Sequence, residues 1–260
     1  METITTANGD RVAFDRYGEP GTPAVVFIQG AGPTRADDPV TAETGRLLAE
    51  RGHQAIVHDR VGRGDSAASG PIALERELDA IAALAEAAGA PVVLVGHSSG
   101  CAIALRAAPR VAGLAGLALW EAPLGQFEGG APAWWAVVEQ AIADGRLEDA
   151  VAAYMVGMPP EWLEELRRSP DYPGLVLSWI PDGEALASVE SDGLAAHLGG
   201  LAVPVLAVVG TETFPGMAEA ADEIAAAAQF GSSERVAGAW HSWEPEAMAE
   251  RLARLLDAQR

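Results

Sequence analysis

The sequence has no lysine; every basic side chain is an arginine. Schiff-base chemistry and a phosphate-gripping P-loop lysine are therefore excluded. There is one cysteine, Cys101, so neither an internal disulfide nor a cysteine metal site can be built, and it reads as a small buried hydrophobe. Positive charge is scarce as well: 17 basic against 37 acidic residues give a net charge of −20. That balance argues against nucleic acid, which needs clustered cations, and against docking on an anionic membrane surface. No basic stretch followed by an apolar run opens the chain, so no signal peptide is expected. The longest apolar stretch, Cys101 to Trp120, is interrupted by Arg106, Pro109 and Arg110 and is no membrane span. A cytoplasmic protein is the expectation, and a homodimer is compatible with it. No two histidines have metal-ligand spacing, so neither a metal nor another cofactor is expected.

What is present is an alternation. The apolar runs Val25–Ile28, Ala55–Val57, Pro91–Val95, Leu117–Leu119 and Val205–Val209 read as strands covered on both faces. Helical stripes lie between them, such as Leu74, Leu78, Ile81 and Leu84, with Pro71 before and Gly89 after. Strand–helix alternation predicts an α/β class with a doubly wound sheet. Glu2 to Tyr17 reads instead as an antiparallel hairpin turning at Asn8-Gly9-Asp10. The alternation stops over residues 122–200, a helical stretch with Trp134, Trp135, Tyr154, Met155, Met158, Trp162, Tyr172 and Trp179. We read residues 1–121 and 201–260 as the core and 122–200 as an inserted helical cap, whose aromatics pack it down and in part line a pocket.

Strand Pro91–Val95 runs into Gly96-His97-Ser98-Ser99-Gly100, and a helix follows. This is G-x-S-x-G in strand–turn–helix context. The sharp turn lifts the Ser98 hydroxyl above the sheet, glycines on either side let strand and helix approach, and the helix start offers an N–H to an oxyanion. His97 reads as scaffold, pointing away from Ser98. A serine hydroxyl needs a base, and His241, between the last strand (Glu234–Val236) and the C-terminal helix, has the right place in chain order.

Four segments carry a resemblance to the α/β-hydrolase superfamily: Phe27-Ile28-Gln29-Gly30-Ala31-Gly32, the Asp59–Ser66 segment DRVGRGDS, the elbow, and Gly238-Ala239-Trp240-His241. The resemblance spans nearly the whole chain. It implies an eight-stranded, mostly parallel sheet with a cap, Ser98 as nucleophile and His241 as base. It implies Ala31 and Ser99 as backbone oxyanion donors, and Asp59–Ser66 as a structural loop. Gln29 stands where the family usually has histidine and is a candidate substrate contact. Trp120 and Trp240, which precede Glu121 and His241, are candidate pocket residues.

The acid departs from the common pattern. The usual aspartate position corresponds to Thr213, which cannot serve, and Glu212 is one residue early. Some family members place the acid after the strand that follows the nucleophile helix; here that is Glu121, at the carboxyl edge of the sheet. Glu121 is favoured over Glu212, with a dyad lacking an acid as the third option. The expected activity is hydrolysis of an ester, thioester or lactone of an apolar small molecule through an acyl-enzyme. A cofactor-independent lyase, C–C hydrolase or cyclase on the same site is the first alternative, and a non-catalytic binding protein the second.

Overall fold

A computed structural model describes residues 1–258. The N-terminal hairpin forms as its turn residues predict: β1 (Glu2–Thr5) pairs antiparallel with β2 (Arg11–Tyr17). Then β3 (Ala24–Ile28), α1 (Pro39–Glu50), β4 (Gln54–His58), α2 (Leu74–Ala88), β5 (Val92–His97), α3 (Gly100–Ala107) and β6 (Leu114–Trp120) alternate. After β6 come only helices: α4 (Ala131–Ala143), α5 (Leu147–Tyr154), α6 (Pro160–Leu166), α7 (Ile180–Asp192) and α8 (Leu194–Leu198). The sheet resumes with β7 (Val205–Glu212), followed by α9 (Met217–Ala227), β8 (Gly231–Ala239), β9 (Ser242–Trp243) and α10 (Pro245–Asp257).

The nine strands form one sheet in the order β1-β2-β4-β3-β5-β6-β7-β8-β9. From β4 to β8 every pairing is parallel; the first two and the last are antiparallel. The ninth strand is the two-residue β9, which the expected eight leave out; it exists because a tight turn folds Ser242 and Trp243 back on β8.

Alternation within each strand divides the core in two. Val26 and Ile28 of β3 face a cluster with α2, α3 and the inserted helices, whereas Val25 and Phe27 face α1 and α10. Strands buried on both faces must be apolar throughout, which is why these runs were legible. α10 buries Met248, Ala249, Leu252, Ala253, Leu255 and Leu256, a stripe of helical period against the second face. α2 ends at Gly89 in the left-handed conformation (φ 66°), but it starts at Leu74, three residues beyond Pro71.

Candidate active site

The carboxyl ends of β5, β6 and β8 bring three side chains together. β5 delivers Ser98 and pairs in register with β6, His97 opposite Trp120. The Ser98 N–H donates to the Trp120 carbonyl (2.9 Å), and the Glu121 N–H to the Val208 carbonyl on β7 (2.9 Å). Ser98 and Glu121 thus sit side by side where neighbouring strands end. The turn between β8 and β9 carries His241.

Among the described residues, four non-glycine residues have positive φ: Ser98 (56°), Glu121 (47°), Trp240 (54°) and His241 (73°). Such backbone is costly and persists only where the surroundings over-determine it, and it clusters at functional sites. Here it falls on the three expected residues and a neighbour of one. The elbow glycines are steric necessities: a Cβ at Gly96 would lie 2.6 Å from the Cys101 Cα, and one at Gly100 would lie 2.2 Å from the Ile28 carbonyl oxygen.

His241 Nδ1 lies 2.6 Å from Glu121 Oε2. Glu121 is fully buried, and its Oε1 accepts the Gly210 N–H (3.0 Å). Burial pushes the Glu121 pKa up. Hydrogen bonding from His241, Thr213 and Gly210 outweighs it and holds the group below the usual carboxylate range. Thr213, at the usual acid position, thus adds to the lowering of the Glu121 pKa. An ionised Glu121 fixes the proton on His241 Nδ1 and leaves Nε2 as the basic nitrogen. Glu212 is exposed at the end of β7, opposite Ala239.

The oxyanion side is built otherwise. No protein acceptor takes the Ser99 N–H among the described residues. The Ala31 N–H, expected to be open, donates to Ser99 Oγ (3.1 Å), and Ser99 Oγ donates to Asp182 Oδ1 on α7 (2.7 Å). Asp182 also holds Arg60 Nη1 (2.7 Å) and Arg63 Nη2 (3.0 Å), while Arg60 Nε donates to Glu77 Oε1 (3.1 Å). All four charged groups are buried. Their guanidinium groups reach the loop after β3: Arg63 Nη1 donates to the Gly30 carbonyl (2.7 Å), and Arg60 Nη1 to the Gln29 carbonyl (3.1 Å). Burial lowers the Arg60 pKa, but Asp182 and Glu77 more than reverse it; burial and the Arg60 charge bring Arg63 down to about 10, still a cation at neutral pH.

This quartet was missed by sequence reasoning. A hint existed: Glu77 lies inside the apolar stripe of α2, where an unpaired carboxylate is not tolerated. Gln29, Trp120 and Trp240 stand elsewhere than expected. The Gln29 amide donates to Asp38 Oδ2 (2.9 Å), the carboxylate that caps α1. Trp120 is fully buried in the second core, its Nε1 donating to the His241 carbonyl (3.3 Å). Trp240 is 72% exposed, since a tight turn throws the side chain before the base outward. None of the three lines the cavity.

Ser98, Ser99, Ala31 and His241 open on a cavity of about 660 Å³. Its walls come from the inserted helices and the loop after β7, with Phe127, Trp134, Tyr154, Trp162, Trp179 and Phe214 prominent. Phe127 stacks on Trp134 (4.2 Å), and Trp134, Tyr154 and Trp179 continue as tilted pairs. Trp162 and Phe214 stand 6.4 and 6.1 Å from the His241 ring. Among the described residues no group of three or more His, Cys, Asp or Glu could hold a metal ion, and no helix is long and apolar enough to cross a membrane.

Residues 25–255 match the model of the alpha/beta hydrolase family. An alpha/beta hydrolase from Sphaerobacter thermophilus is 30% identical over 98% of this chain and 99% of its own, with a TM-score of 0.75. An esterase from Exiguobacterium antarcticum is 20% identical, with 98% of each chain covered and a TM-score of 0.66. An enzyme that recognises and cleaves the ring of the Pseudomonas quinolone signal is 18% identical, with 99% of this chain and 100% of its own covered and a TM-score of 0.71. The last two likenesses speak for the fold alone. No curated protein matches.

Proposed function

The chain belongs to the alpha/beta hydrolase family, and within it we propose that it is a serine hydrolase acting on an ester, thioester or lactone of an apolar small molecule. The observation that carries this reading is the 2.6 Å contact of His241 Nδ1 with buried Glu121, beside a serine at a strained elbow on the same cavity. Ser98 Oγ attacks the carbonyl carbon while His241 Nε2 takes its proton. Glu121 orients the imidazole and stabilises the imidazolium. The Ser99 N–H receives the oxyanion, and the Ala31 N–H joins it as a donor shared with Ser99 Oγ. His241 returns the proton to the leaving group, then activates the water that releases the acid. We read the inserted helices as the cap that supplies the apolar wall.

The substrate is uncharged near the reacting carbonyl. No arginine lines the cavity among the described residues, and the chain has no lysine. A carboxylate buried there would have no partner, at a cost of several kcal/mol. The test compares 4-nitrophenyl butyrate with mono-4-nitrophenyl succinate. The neutral ester is expected to be the better substrate by about 10²-fold or more in kcat/KM, which corresponds to about 3 kcal/mol. Equal rates would contradict the substrate assignment, and no turnover of any neutral ester would contradict the hydrolase reading.

One observation favours a second reading. The Ala31 N–H is already engaged by Ser99 Oγ. A lyase or C–C-cleaving enzyme that needs His241 as a base, with less demand on an oxyanion hole, fits that arrangement. The same fold carries esterases and ring-cleaving enzymes, so the site has to decide.

A further inference from the structure

The turn that carries His241 is built against its own conformational preferences. β8 and β9 pair through Gly238 with Trp243 and Ala239 with Ser242, which leaves Trp240 and His241 as a two-residue loop. Both have positive φ, as a type I′ hairpin turn demands, and such turns are normally Asn-Gly or Asp-Gly. Neither residue here relieves the strain, and the Trp240 side chain is mostly in solvent. Something outside the hairpin must therefore hold it.

The His241 carbonyl is where it is held. His97 Nε2 lies 2.8 Å from that oxygen and Trp120 Nε1 lies 3.3 Å from it. A carbonyl only accepts, so His97 carries its proton on Nε2. The His97 ring meets the edge of Trp243 at 5.4 Å and lies 4.8 Å from the His241 ring. Burial, with the nearby His241 adding to it, brings the His97 pKa down to about 4, so the ring is a neutral donor at working pH. The two donors also have telling places in the chain. His97 immediately precedes Ser98, Trp120 immediately precedes Glu121, and the two are paired across β5 and β6.

We propose that His97 and Trp120 are positioning residues whose paired hydrogen bonds to the His241 carbonyl lock the strained turn, and with it the imidazole, in register with Ser98 and Glu121. This rests on the proposed role of His241 as base. Displacement of nucleophile, acid or base is resisted by one pair of side chains, buried Trp120 and His97 at the cavity's edge, acting through the His241 carbonyl.

The test is a triplet: wild type, His97→Phe, which keeps a ring but removes the donor, and His97→Gln, which restores an N–H at similar reach. Each is assayed on 4-nitrophenyl butyrate and observed by proton NMR for the downfield His241 Nδ1–H held by Glu121. His97→Phe is expected to lower kcat roughly 10- to 100-fold with little change in KM, because small misplacements of reacting groups cost that much. It should also shift or broaden the resonance, and His97→Gln should recover most of both. A His97→Phe enzyme within about twofold of wild-type kcat, with the resonance unmoved, would overturn the proposal; so would equal losses in Phe and Gln, which mean packing alone. Should His97→Phe not fold, Trp120→Phe removes the second donor while keeping a ring and is read by the same criteria. If wild type hydrolyses no ester, the hydrolase reading fails, while the resonance still reports whether His97 positions His241.

Discussion

On the side of the cavity that carries Glu121 and His241, strained backbone is pinned by neutral donors to the His241 carbonyl and by one carboxylate on its Nδ1. On the side that carries Gly30 and Ser99, the backbone is gripped by two arginines and two carboxylates, all buried. The difference follows from what each side must do. In the proposed mechanism the base exchanges a proton between Nε2 and its partners, so its ring has to be aimed while that nitrogen stays free. The loop proposed to hold the oxyanion has only to keep still, and a net-neutral quartet keeps it still without changing its charge. The quartet also ties the loop to α7, so that helix and the loop are held as one unit.

The contrast can be broken from either side. Ser98→Ala should reduce ester turnover by on the order of 10⁵–10⁶, as loss of a nucleophile does, with stability unchanged, measured by initial rates beside a thermal melt. Glu121→Gln keeps shape but removes the charge that fixes the Nδ1 tautomer; a loss of about 10⁴ in kcat is expected, and a loss under tenfold would mean that Glu121 is no part of the machinery. Asp182→Ala strikes the other side, leaving buried Arg63 without a carboxylate and Arg60 with Glu77 alone. It should cost about 3–5 kcal/mol in denaturant unfolding, a stability effect that Ser98→Ala lacks.

Acid sharpens the comparison further. His58 and His97 are buried and neutral, with pKa values down to about 3 and about 4 from an ordinary 6.5, chiefly through burial. The unfolded chain binds these protons first as pH falls below 6.5. The histidines' contribution to stability is therefore full above that pH, falls as pH drops toward 4 and then 3, and levels off below, by at most about 1.4 kcal/mol per pH unit for each histidine. Urea titrations at several pH values would show this, and a flat profile between pH 6.5 and 4 would contradict it. The smallest effect belongs to Trp240→Asn. Asparagine accepts positive φ where tryptophan does not, so the variant should gain about 1 kcal/mol, seen as a higher Tm.

Much of this was legible in the sequence because the signals are local. Strands buried on both faces must be continuously apolar, and the elbow needs its glycines in place, so both could be read from short windows. Glu121 was readable as a carboxylate directly after an apolar strand, where it needs a partner. What escaped depends on pairing across long separations. Nothing near Asp182 announces that it meets Arg60, 122 positions away. Gln29, Trp120 and Trp240 were read toward the substrate because each adjoins a site residue, but alternation and the tight turn point them to Asp38, the second core and solvent. Likewise no window of sequence shows that the Ser99 hydroxyl occupies the Ala31 N–H.

The central claim, that Ser98 is a nucleophile activated by His241 and Glu121, is tested most directly by covalent labelling. The protein is incubated with a fluorophosphonate at neutral pH, beside Ser98→Ala and Glu121→Ala, and its intact mass is read over time. The account predicts one adduct on the wild type, none on Ser98→Ala and slower labelling of Glu121→Ala. A folded wild type that stays unlabelled, or a Ser98→Ala protein that labels at the wild-type rate, would contradict it.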